Sequence, residues 1–327
     1  MPVKTVLEAI REGLREEMRR DPSVVLLGED VGAKGGVFLA TQGLAQEFGE
    51  DRVIDTPLAE SLVAGMAIGA AMNGCRPVAE IQFADFIHPA MDQIINEAAK
   101  VRYRSNGGYS CPMVVRTPYG GGIRGALYHS QSVESFFCHV PGLKVVAPAT
   151  PYDAKGLLKA AIRDPDPVIY LEHKKTYRLI KGEVPEEDYV IPIGQAEVKR
   201  EGEHVSVFSY GMMLHHCLAA AEVLAREGIS AEVVDLRSLF PLNEDAIMAS
   251  VRKTGKVLVV TEDTSVCSVA SEVAARVADK AFLDLDAPIM RLAGPHIPAI
   301  PYSPPLEEFF LPNEEKIVEA LRALVAF

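Results

Sequence analysis

A glycine-rich stretch at residues 120–125 satisfies the G-x-G-x-x-G pattern that positions the phosphates of a bound dinucleotide in many proteins. It follows a run with strand character, as such a site requires. However, Thr117-Pro118 interrupts the tight turn, and residues 126–130 do not begin an apolar helix. The sequence therefore favours a flexible glycine loop, and a dinucleotide-dependent oxidoreductase is kept as a distant alternative.

A carboxylate stands at the start of a predicted helix that has small residues on one face. Residues 55–60 predict a helix start, with Thr56 as N-cap and Pro57 at the first helical position, which places Glu60 in the first turn. In that place a glutamate can simply be a surface acid stabilised by the helix dipole. Gly65 and Gly69, four residues apart, allow a second backbone to approach closely. Glu60 is therefore a candidate functional group beside an interface.

His129 follows the glycine loop and is a candidate for proton transfer. An imidazole can relay protons at physiological pH, although a loop histidine often has no such role. The pair His215-His216 opens a predicted helix and is interpreted as structural.

The elements that must position these residues alternate in type along the chain. Short β-branched runs predict strands, and longer amphipathic stretches between them predict helices, which together favour buried parallel sheets. The acidic, proline-containing segment after residue 181 predicts a surface connection. We expect an α/β protein with two doubly wound, mostly parallel-sheet domains at residues 1–185 and 205–327, joined by a linker at 186–204. The predicted strands are residues 24–27, 52–54, 77–81, 113–115, 144–146, 168–171, 205–210, 231–236, 256–261 and 289–292.

Composition excludes several classes of protein. The formal net charge is −12 over 327 residues, and no basic stripe is present that would bind nucleic acid or anionic lipid. Five cysteines without a C-x-x-C pair indicate neither a disulfide framework nor a zinc site. The charged, helical start of the chain is unlike a signal or transit peptide, so a cytoplasmic location is expected.

Several segments in order resemble one enzyme family. Glu60 followed by Gly65-Met66-x-x-Gly69 is similar to the pyrimidine-domain motif of thiamine-diphosphate enzymes, although Ala70 departs from the usual glutamine. The chain as a whole resembles the beta subunit of the decarboxylating component of 2-oxo acid dehydrogenase complexes, and the residues around His129 favour the branched-chain type. The other segments that carry this resemblance are Gly28-Glu29-Asp30-Val31, residues 81–86, residues 125–132 and residues 235–241.

The resemblance implies a fold and a site. The two domains would be a thiamine-diphosphate pyrimidine domain and a transketolase C-terminal-like domain. Glu60 would hydrogen-bond a pyrimidine ring nitrogen and, with His129, would be catalytic. Leu58, Gln82 and Phe86 would contact the aminopyrimidine, with Phe86 standing where several relatives have tyrosine.

The resemblance also implies a structural monovalent cation such as K⁺. In relatives such an ion is held in a turn matching Asp164-Pro165-Asp166-Pro167 and by a neighbouring segment. The residues implied are Cys111, Met113, Val114, Ala161, Asp164 and Asp166.

An absent motif indicates a second subunit. The family holds the cofactor's diphosphate through Mg²⁺ with a G-D-G motif, which this sequence lacks. The resemblance therefore implies an alpha subunit that supplies Mg²⁺ and the diphosphate half in an α₂β₂ heterotetramer, together with a lipoyl acyltransferase core and a 2-oxo acid substrate. A pyruvate dehydrogenase beta subunit is the near alternative, and a non-catalytic scaffold of the same fold is a distant one.

Overall fold

The computed structural model describes all residues 1–327, which form two compact units. The first comprises Met1–Tyr119 and Phe136–Ile193, and the second comprises Gly120–Ser135 and Gly194–Phe327. The glycine loop and His129 thus belong to the second unit. No helix has both the length and the apolar composition needed to cross a bilayer.

The first unit is built on parallel strands that follow one another in the order β6-β7-β5-β4-β2-β3. These strands are largely buried, which explains why their sequences are near-continuous apolar runs. A separate antiparallel pair is formed by β1 and β8. The strands of this unit are β1 Val3–Thr5, β2 Val24–Gly28, β3 Val53–Asp55, β4 Arg76–Glu80, β5 Val114–Tyr119, β6 Lys144–Val146, β7 Val168–His173 and β8 Lys181–Glu183.

The helices of the first unit begin where the sequence offers capping groups. Thr5 and Glu8 form a capping box at the start of α1, and Thr150 caps α6 with Pro151 at its first position. The helices are α1 Val6–Arg20, α2 Leu44–Phe48, α3 Glu60–Met72, α4 Val101–Arg104, α6 Pro151–Arg163 and α7 Thr176–Leu179, while α5, Glu134–Cys138, begins in the segment assigned to the second unit.

The second unit contains a five-stranded sheet in the order β14-β13-β10-β11-β9. Its strands are parallel except for β9, which is antiparallel to β11 at one edge. The strands of this unit are β9 Glu197–Arg200, β10 Val205–Ser209, β11 Ala231–Asp235, β12 Ser238–Phe240, β13 Val257–Thr264 and β14 Met290–Gly294. Its helices are α8 Gly211–Ala225, α9 Glu244–Thr254, α10 Val269–Lys280, α11 Pro304–Phe310 and α12 Glu314–Val325.

The predicted start of the helix that carries Glu60 is wrong. α3 begins at Glu60, and its N-cap is Ala59 in a non-helical conformation with φ −160°. The Thr56 N–H donates to the carbonyl of Gly28 over 2.9 Å, so the chain stays tied to the end of β2 before the helix can begin. Glu60 nevertheless lies in the first turn, as its first residue.

Candidate active site

Three polar residues follow neighbouring parallel strands of the first unit at the same edge. Glu29 comes directly after β2, Glu60 follows β3 after a short loop, and Gln82 comes two residues after β4. Because the strands are parallel, their carboxyl ends meet at one edge, where ligands bind in open α/β sheets. The sheet therefore gathers two carboxylates and an amide that are far apart in sequence.

The two carboxylates interact. Partial burial, then the negative charges of Asp30 and Glu60, raises the pKa of Glu29 above its usual value. Gln82 Nε2 donates to the Glu29 carbonyl over 3.5 Å. The sequence motifs alone do not assign Glu29 to the site, and its position directly after β2 is the signal that identifies it.

Exposed apolar side chains stand close to Glu60 in the chain. Leu58 is 71% exposed, and Leu62 and Met66 are 44% and 41% exposed on the first two turns of α3. At Gly69 an added Cβ would meet nothing within 4 Å, and at Gly65 it would meet only Gln93 at 4.0 Å. We call these five residues, Leu58, Leu62, Gly65, Met66 and Gly69, the α3 apolar face. It is an exposed hydrophobic surface adjoining a carboxylate.

Phe86 is held in a cluster of aromatic rings. It ends a short 3₁₀ turn, Ala84–Phe86, and its ring meets Phe83 edge-on at a centroid distance of 5.6 Å. Phe83 in turn meets Phe38 at 5.4 Å, and the ammonium of Lys174 lies 5.8 Å from the centre of the Phe83 ring. Phe86 is half-buried with a fixed ring orientation, which suits a flat partner ring.

A buried ion network, which was not predicted, supports this edge from within the sheet. Arg116, 1% exposed, donates from Nε and Nη2 to the two oxygens of Glu172 over 2.6 and 2.8 Å, and it also pairs with Glu80. The Tyr177 hydroxyl donates to Glu172. Glu80 and Glu172 stand near the ends of β4 and β7, and Arg116 lies on β5 between these two strands, so the network ties the three strands together.

The glycine loop lies in the second unit and is held by carboxylates. The Gly121 N–H donates to Glu262, and the N–H groups of Gly122 and Arg124 donate to one oxygen of Glu307 over 2.9 and 3.1 Å. A pyrophosphate would need these same donors and would be repelled by both acids. The loop thus disfavours the dinucleotide alternative, because its donors are already bound within the chain.

Two further acids of the second unit interact with each other. Glu134 is fully buried, and the Tyr210 hydroxyl donates to it over 2.7 Å. Burial, then the charge of Asp263, raises the pKa of Glu134 to about 8. Burial also raises the pKa of Asp263, which accepts a bond from the Ser135 hydroxyl. None of these acids was proposed from the sequence, although Glu262-Asp263 near the end of β13 was a visible signal.

The turn proposed to hold a monovalent cation contains basic side chains. Lys144 Nζ donates to both oxygens of Asp164 over 2.7 Å, and Arg102 Nε donates to Asp166 over 2.5 Å. Arg76 donates to the carbonyl of Asp164, and Arg102 to that of Pro165. Three positive groups thus occupy the oxygens of this turn, an arrangement that disfavours an added cation.

The other residues implied for the cation are buried in the first unit: Cys111, Met113, Val114 and Ala161. Burial, then the negative charge of Asp166, raises the pKa of the Cys111 thiol to about 12. No cluster of three or more His, Cys, Asp or Glu side chains is arranged to hold a metal ion. The structural cation remains a prediction from the resemblance alone.

Comparison with known proteins finds two domain families in the chain. Residues 3–180 match the pyrimidine binding domain of transketolase, and residues 194–317 match the transketolase C-terminal domain. A solved structure described as a split-gene transketolase, an inactive beta4 tetramer, has the same fold, with a TM-score of 0.80 and 23% identity over 98% of each chain.

Curated relatives match the full length. The chain is 62% identical over 100% of both chains to the 2-oxoisovalerate dehydrogenase subunit beta of Bacillus subtilis. It is 49% identical, with the same coverage, to the pyruvate dehydrogenase E1 component subunit beta of that organism. It is 48% identical to the beta subunit of acetoin:2,6-dichlorophenolindophenol oxidoreductase of B. subtilis, covering 99% of this chain and 97% of the relative. The chain therefore belongs to the transketolase-like family that contains the beta subunits of 2-oxo acid dehydrogenases.

Proposed function

We propose that this chain is the beta subunit of a branched-chain 2-oxo acid dehydrogenase, which decarboxylates 3-methyl-2-oxobutanoate and related acids and transfers the acyl group to lipoyl. The observation that carries the proposal is the 62% identity over both full chains to a 2-oxoisovalerate dehydrogenase beta subunit. The carboxylate and amide edge of the first unit supports it. A pyruvate dehydrogenase beta subunit is the second candidate, favoured by a relative that is 49% identical.

The residues at this edge fit the pyrimidine end of thiamine diphosphate. The fit rests on Glu60 beside an exposed apolar surface and on the fixed ring of Phe86, because an aminopyrimidine has both polar ring nitrogens and a flat apolar face. When bound, the cofactor supplies the electron sink for decarboxylation. Glu60 would bind a pyrimidine ring nitrogen through its carboxyl group and exchange a proton there.

The neighbouring residues would orient and enclose the ring. Phe86 would stack on one face, and Leu58 would close the apolar side and exclude water. Gln82 Nε2 already reaches the Glu29 carbonyl, so its amide is oriented before any ligand binds. The raised pKa of Glu29 means that this carboxyl more readily carries a proton beside Glu60, which lowers the electrostatic repulsion at the edge.

His129 would also take part in the reaction. Its ring would relay a proton during decarboxylation or during transfer of the acyl group to lipoyl, an effect worth about 10² to 10⁴ in rate. The tight folding of its loop supports a fixed position, since an added Cβ at Gly125 would lie 2.6 Å from the His129 carbonyl oxygen.

The proposed assembly is an α₂β₂ heterotetramer. The alpha subunit would hold Mg²⁺ and the cofactor's diphosphate, and the α3 apolar face would be covered by a partner subunit. Its exposed Leu62 and Met66, with an open surface at Gly69, support a helix contact there. A lipoyl acyltransferase core would take the acyl group, and the cytoplasm remains the expected location.

The first test is decarboxylation with thiamine diphosphate and Mg²⁺. This chain, its alpha partner and their mixture are compared with 3-methyl-2-oxobutanoate and with pyruvate. We expect activity only in the mixture, with preference for the branched acid. Preference for pyruvate would establish the second candidate, and activity of this chain alone would contradict the divided site. An inactive but assembled heterotetramer would favour a scaffold role.

The same assay tests Glu60. We expect Glu60→Gln to lower decarboxylation by about 10² to 10⁴, because the amide cannot exchange the proton. Glu50→Gln, a change at an exposed acid outside the site, is the matched control and should leave the rate unchanged. Near-normal turnover of the Glu60 variant in an assembled heterotetramer would refute the assignment.

A further inference from the structure

The loop that carries His129 has a backbone conformation that needs support. Arg124 and Ala126 have φ of 59° and 56°, in the left-handed region that residues with side chains rarely adopt. Such conformations persist only where the surrounding structure enforces them, and they cluster at functional sites. Groups from elsewhere in the second unit supply this support.

Two buried glutamates from distant parts of the chain hold the loop through its backbone. Glu262, near the end of β13, accepts from the Gly121 N–H, and Glu307, on α11, accepts from the N–H groups of Gly122 and Arg124 with a single oxygen. Glu262 is 3% exposed and Glu307 is 6% exposed. Alternate N–H groups converging on one oxygen form a backbone nest, which binds anions. Here the anion is a side chain of the same chain.

The loop closes on itself directly after these contacts. The Gly120 N–H donates to the carbonyl of Gln131 over 3.1 Å, and Gln131 Nε2 donates to the carbonyl of Leu127 over 2.8 Å. An added Cβ on Gly125 would lie 2.8 Å from the His129 Cβ. The backbone at residues 121–125 and the position of His129 are therefore coupled, and a shift of one must move the other.

We infer that Glu307 is a positioning residue, which fixes His129 for acyl transfer by holding the backbone nest of the loop, with Glu262 holding its first N–H. Glu307 touches neither substrate nor cofactor in this role and acts through the loop. The inference rests on the function proposed for His129. It makes α11, more than 170 residues further along the chain, part of the catalytic arrangement.

The test compares variants in the assembled heterotetramer, with thiamine diphosphate, 3-methyl-2-oxobutanoate and a lipoylated acceptor domain. Glu307→Ala should lower kcat for acyl transfer by about tenfold to a hundredfold, as expected when a reacting group is misplaced by about 1 Å, with KM for the 2-oxo acid changed less than about twofold. Glu307→Gln keeps an oxygen in the nest and should stay within about threefold of wild type. Glu308→Ala, at the exposed neighbouring residue of α11, is the matched control and should match wild type.

A second measurement reports on the loop without using activity. Arg124 is exposed, so trypsin can cut after it once the loop is released. In the full-length chain, Glu307→Ala should speed cleavage at Arg124 by about tenfold or more, as measured by mass spectrometry, whereas Glu307→Gln and Glu308→Ala should not. If the alanine variant fails to fold, Glu307→Asp can replace it, because its carboxylate is withdrawn by about one methylene. Glu307→Asp should lower kcat for acyl transfer and speed cleavage at Arg124, both by less than Glu307→Ala.

His129→Ala, measured alongside, separates the two hypotheses. If it transfers acyl groups as fast as wild type, the role proposed for His129 fails, and faster cleavage of Glu307→Ala would still establish that Glu307 holds the loop. If His129→Ala is slow while Glu307→Ala shows wild-type kinetics, the positioning role is overturned. Unchanged cleavage of Glu307→Ala would also overturn it.

Discussion

Glu134 is a fully buried carboxyl group in the second unit, faced by Asp263, Glu262 and the hydroxyl of Tyr210. Burial, followed by the charge of Asp263, raises its pKa from the usual 4.5 to about 8, and the Tyr210 hydrogen bond opposes the shift. Between these values the folded state binds more protons than the unfolded state. The free energy of unfolding therefore falls as pH rises through this window.

Replacement of Glu134 by glutamine should remove this dependence. We expect Glu134→Gln to unfold at a higher temperature than wild type at pH 9, with the difference shrinking towards pH 5, because only the wild-type residue must ionise in a buried place. Thermal unfolding of the chain at several pH values measures this. Glu308→Gln, at an exposed acid, should follow the wild-type curve, and parallel curves for the Glu134 variant and wild type would contradict the pKa assignment.

The sequence predicts the positions of single residues better than it predicts which side chains they contact. Glu60 was expected in the first turn of a helix, and the structure places it there. The Arg116 network was not expected, because its members are far apart in sequence. It depends on strand register: Glu80 lies beside Arg116 in the β4–β5 pair, and Glu172 lies two residues beyond Tyr170, which pairs with Arg116. No local pattern contains that information.

Elements were predicted accurately where the local sequence determines them. Asn313 and Ser268, residues that favour N-caps, cap α12 and α10, and the apolar runs predicted as strands in the first unit form parallel strands. β9 was missed because residues 197–200 contain one valine among charged residues, and the strand forms only by pairing with β11. It lies within residues 186–204, which were expected to be a linker. Tertiary pairing thus overrode a weak local preference.

α6 contains a glycine that packing requires. An added Cβ on Gly156 would lie 2.7 Å from Ile191 Cγ1 and 2.8 Å from Tyr189 Cε2. Ile191 cannot withdraw freely, because its N–H donates to the Gly156 carbonyl over 3.1 Å. Overpacking costs about 1–3 kcal/mol, which exceeds the gain of about 1 kcal/mol from replacing glycine in a helix.

We therefore expect Gly156→Ala to lower the free energy of unfolding, as measured with denaturant. Gly13→Ala in α1 is the matched control. Its added Cβ would lie 3.5 Å from the nearest atom, which is ordinary contact, so this variant should be neutral or stabilised by up to about 1 kcal/mol. Equal stabilisation of both variants would show that the segment at Ile191 yields easily.

The turn at residues 164–167 illustrates a conflict between resemblance and structure. The resemblance implies a bound monovalent cation, whereas Lys144, Arg102 and Arg76 already satisfy oxygens of this turn. We expect the unfolding temperature to stay the same when K⁺ is replaced by choline at constant ionic strength. Lys144→Met should lower it, because Asp164 then loses two charge-assisted hydrogen bonds.

The opposite result would support the hypothesis that a monovalent cation binds at this turn. A drop of several degrees on removal of K⁺ from wild type would mean that an ion binds beside the three basic groups. Lys159→Met is a useful control, since Lys159 pairs with Glu16 and Asp188 away from this turn. The unfolding temperature of the Lys159→Met variant should change, but its response to K⁺ should be the same as that of wild type.

At the scale of the whole molecule, a substitution on the α3 apolar face should have opposite effects on the stability of the isolated chain and on its assembly with a partner. Gly69 lies within α3, and an added Cβ there would meet nothing within 4 Å. Alanine is favoured over glycine in a helix by about 1 kcal/mol, so Gly69→Ala should stabilise the isolated chain. If a partner helix packs closely on this face, the same methyl group must weaken assembly.

Gly69→Ala should therefore raise the unfolding temperature of the isolated chain and weaken its association with the alpha subunit, as measured by sedimentation of mixtures over a range of concentrations. Gly13→Ala is the control, because an added Cβ there would contact only side chains and backbone of the same chain, and it should leave association unchanged. Because close helix contacts tolerate larger groups progressively less well, Gly69→Leu should weaken assembly more than Gly69→Ala. Association as tight as wild type for both variants would place the subunit interface elsewhere, and Glu60 would then lie beside an apolar face that no subunit covers.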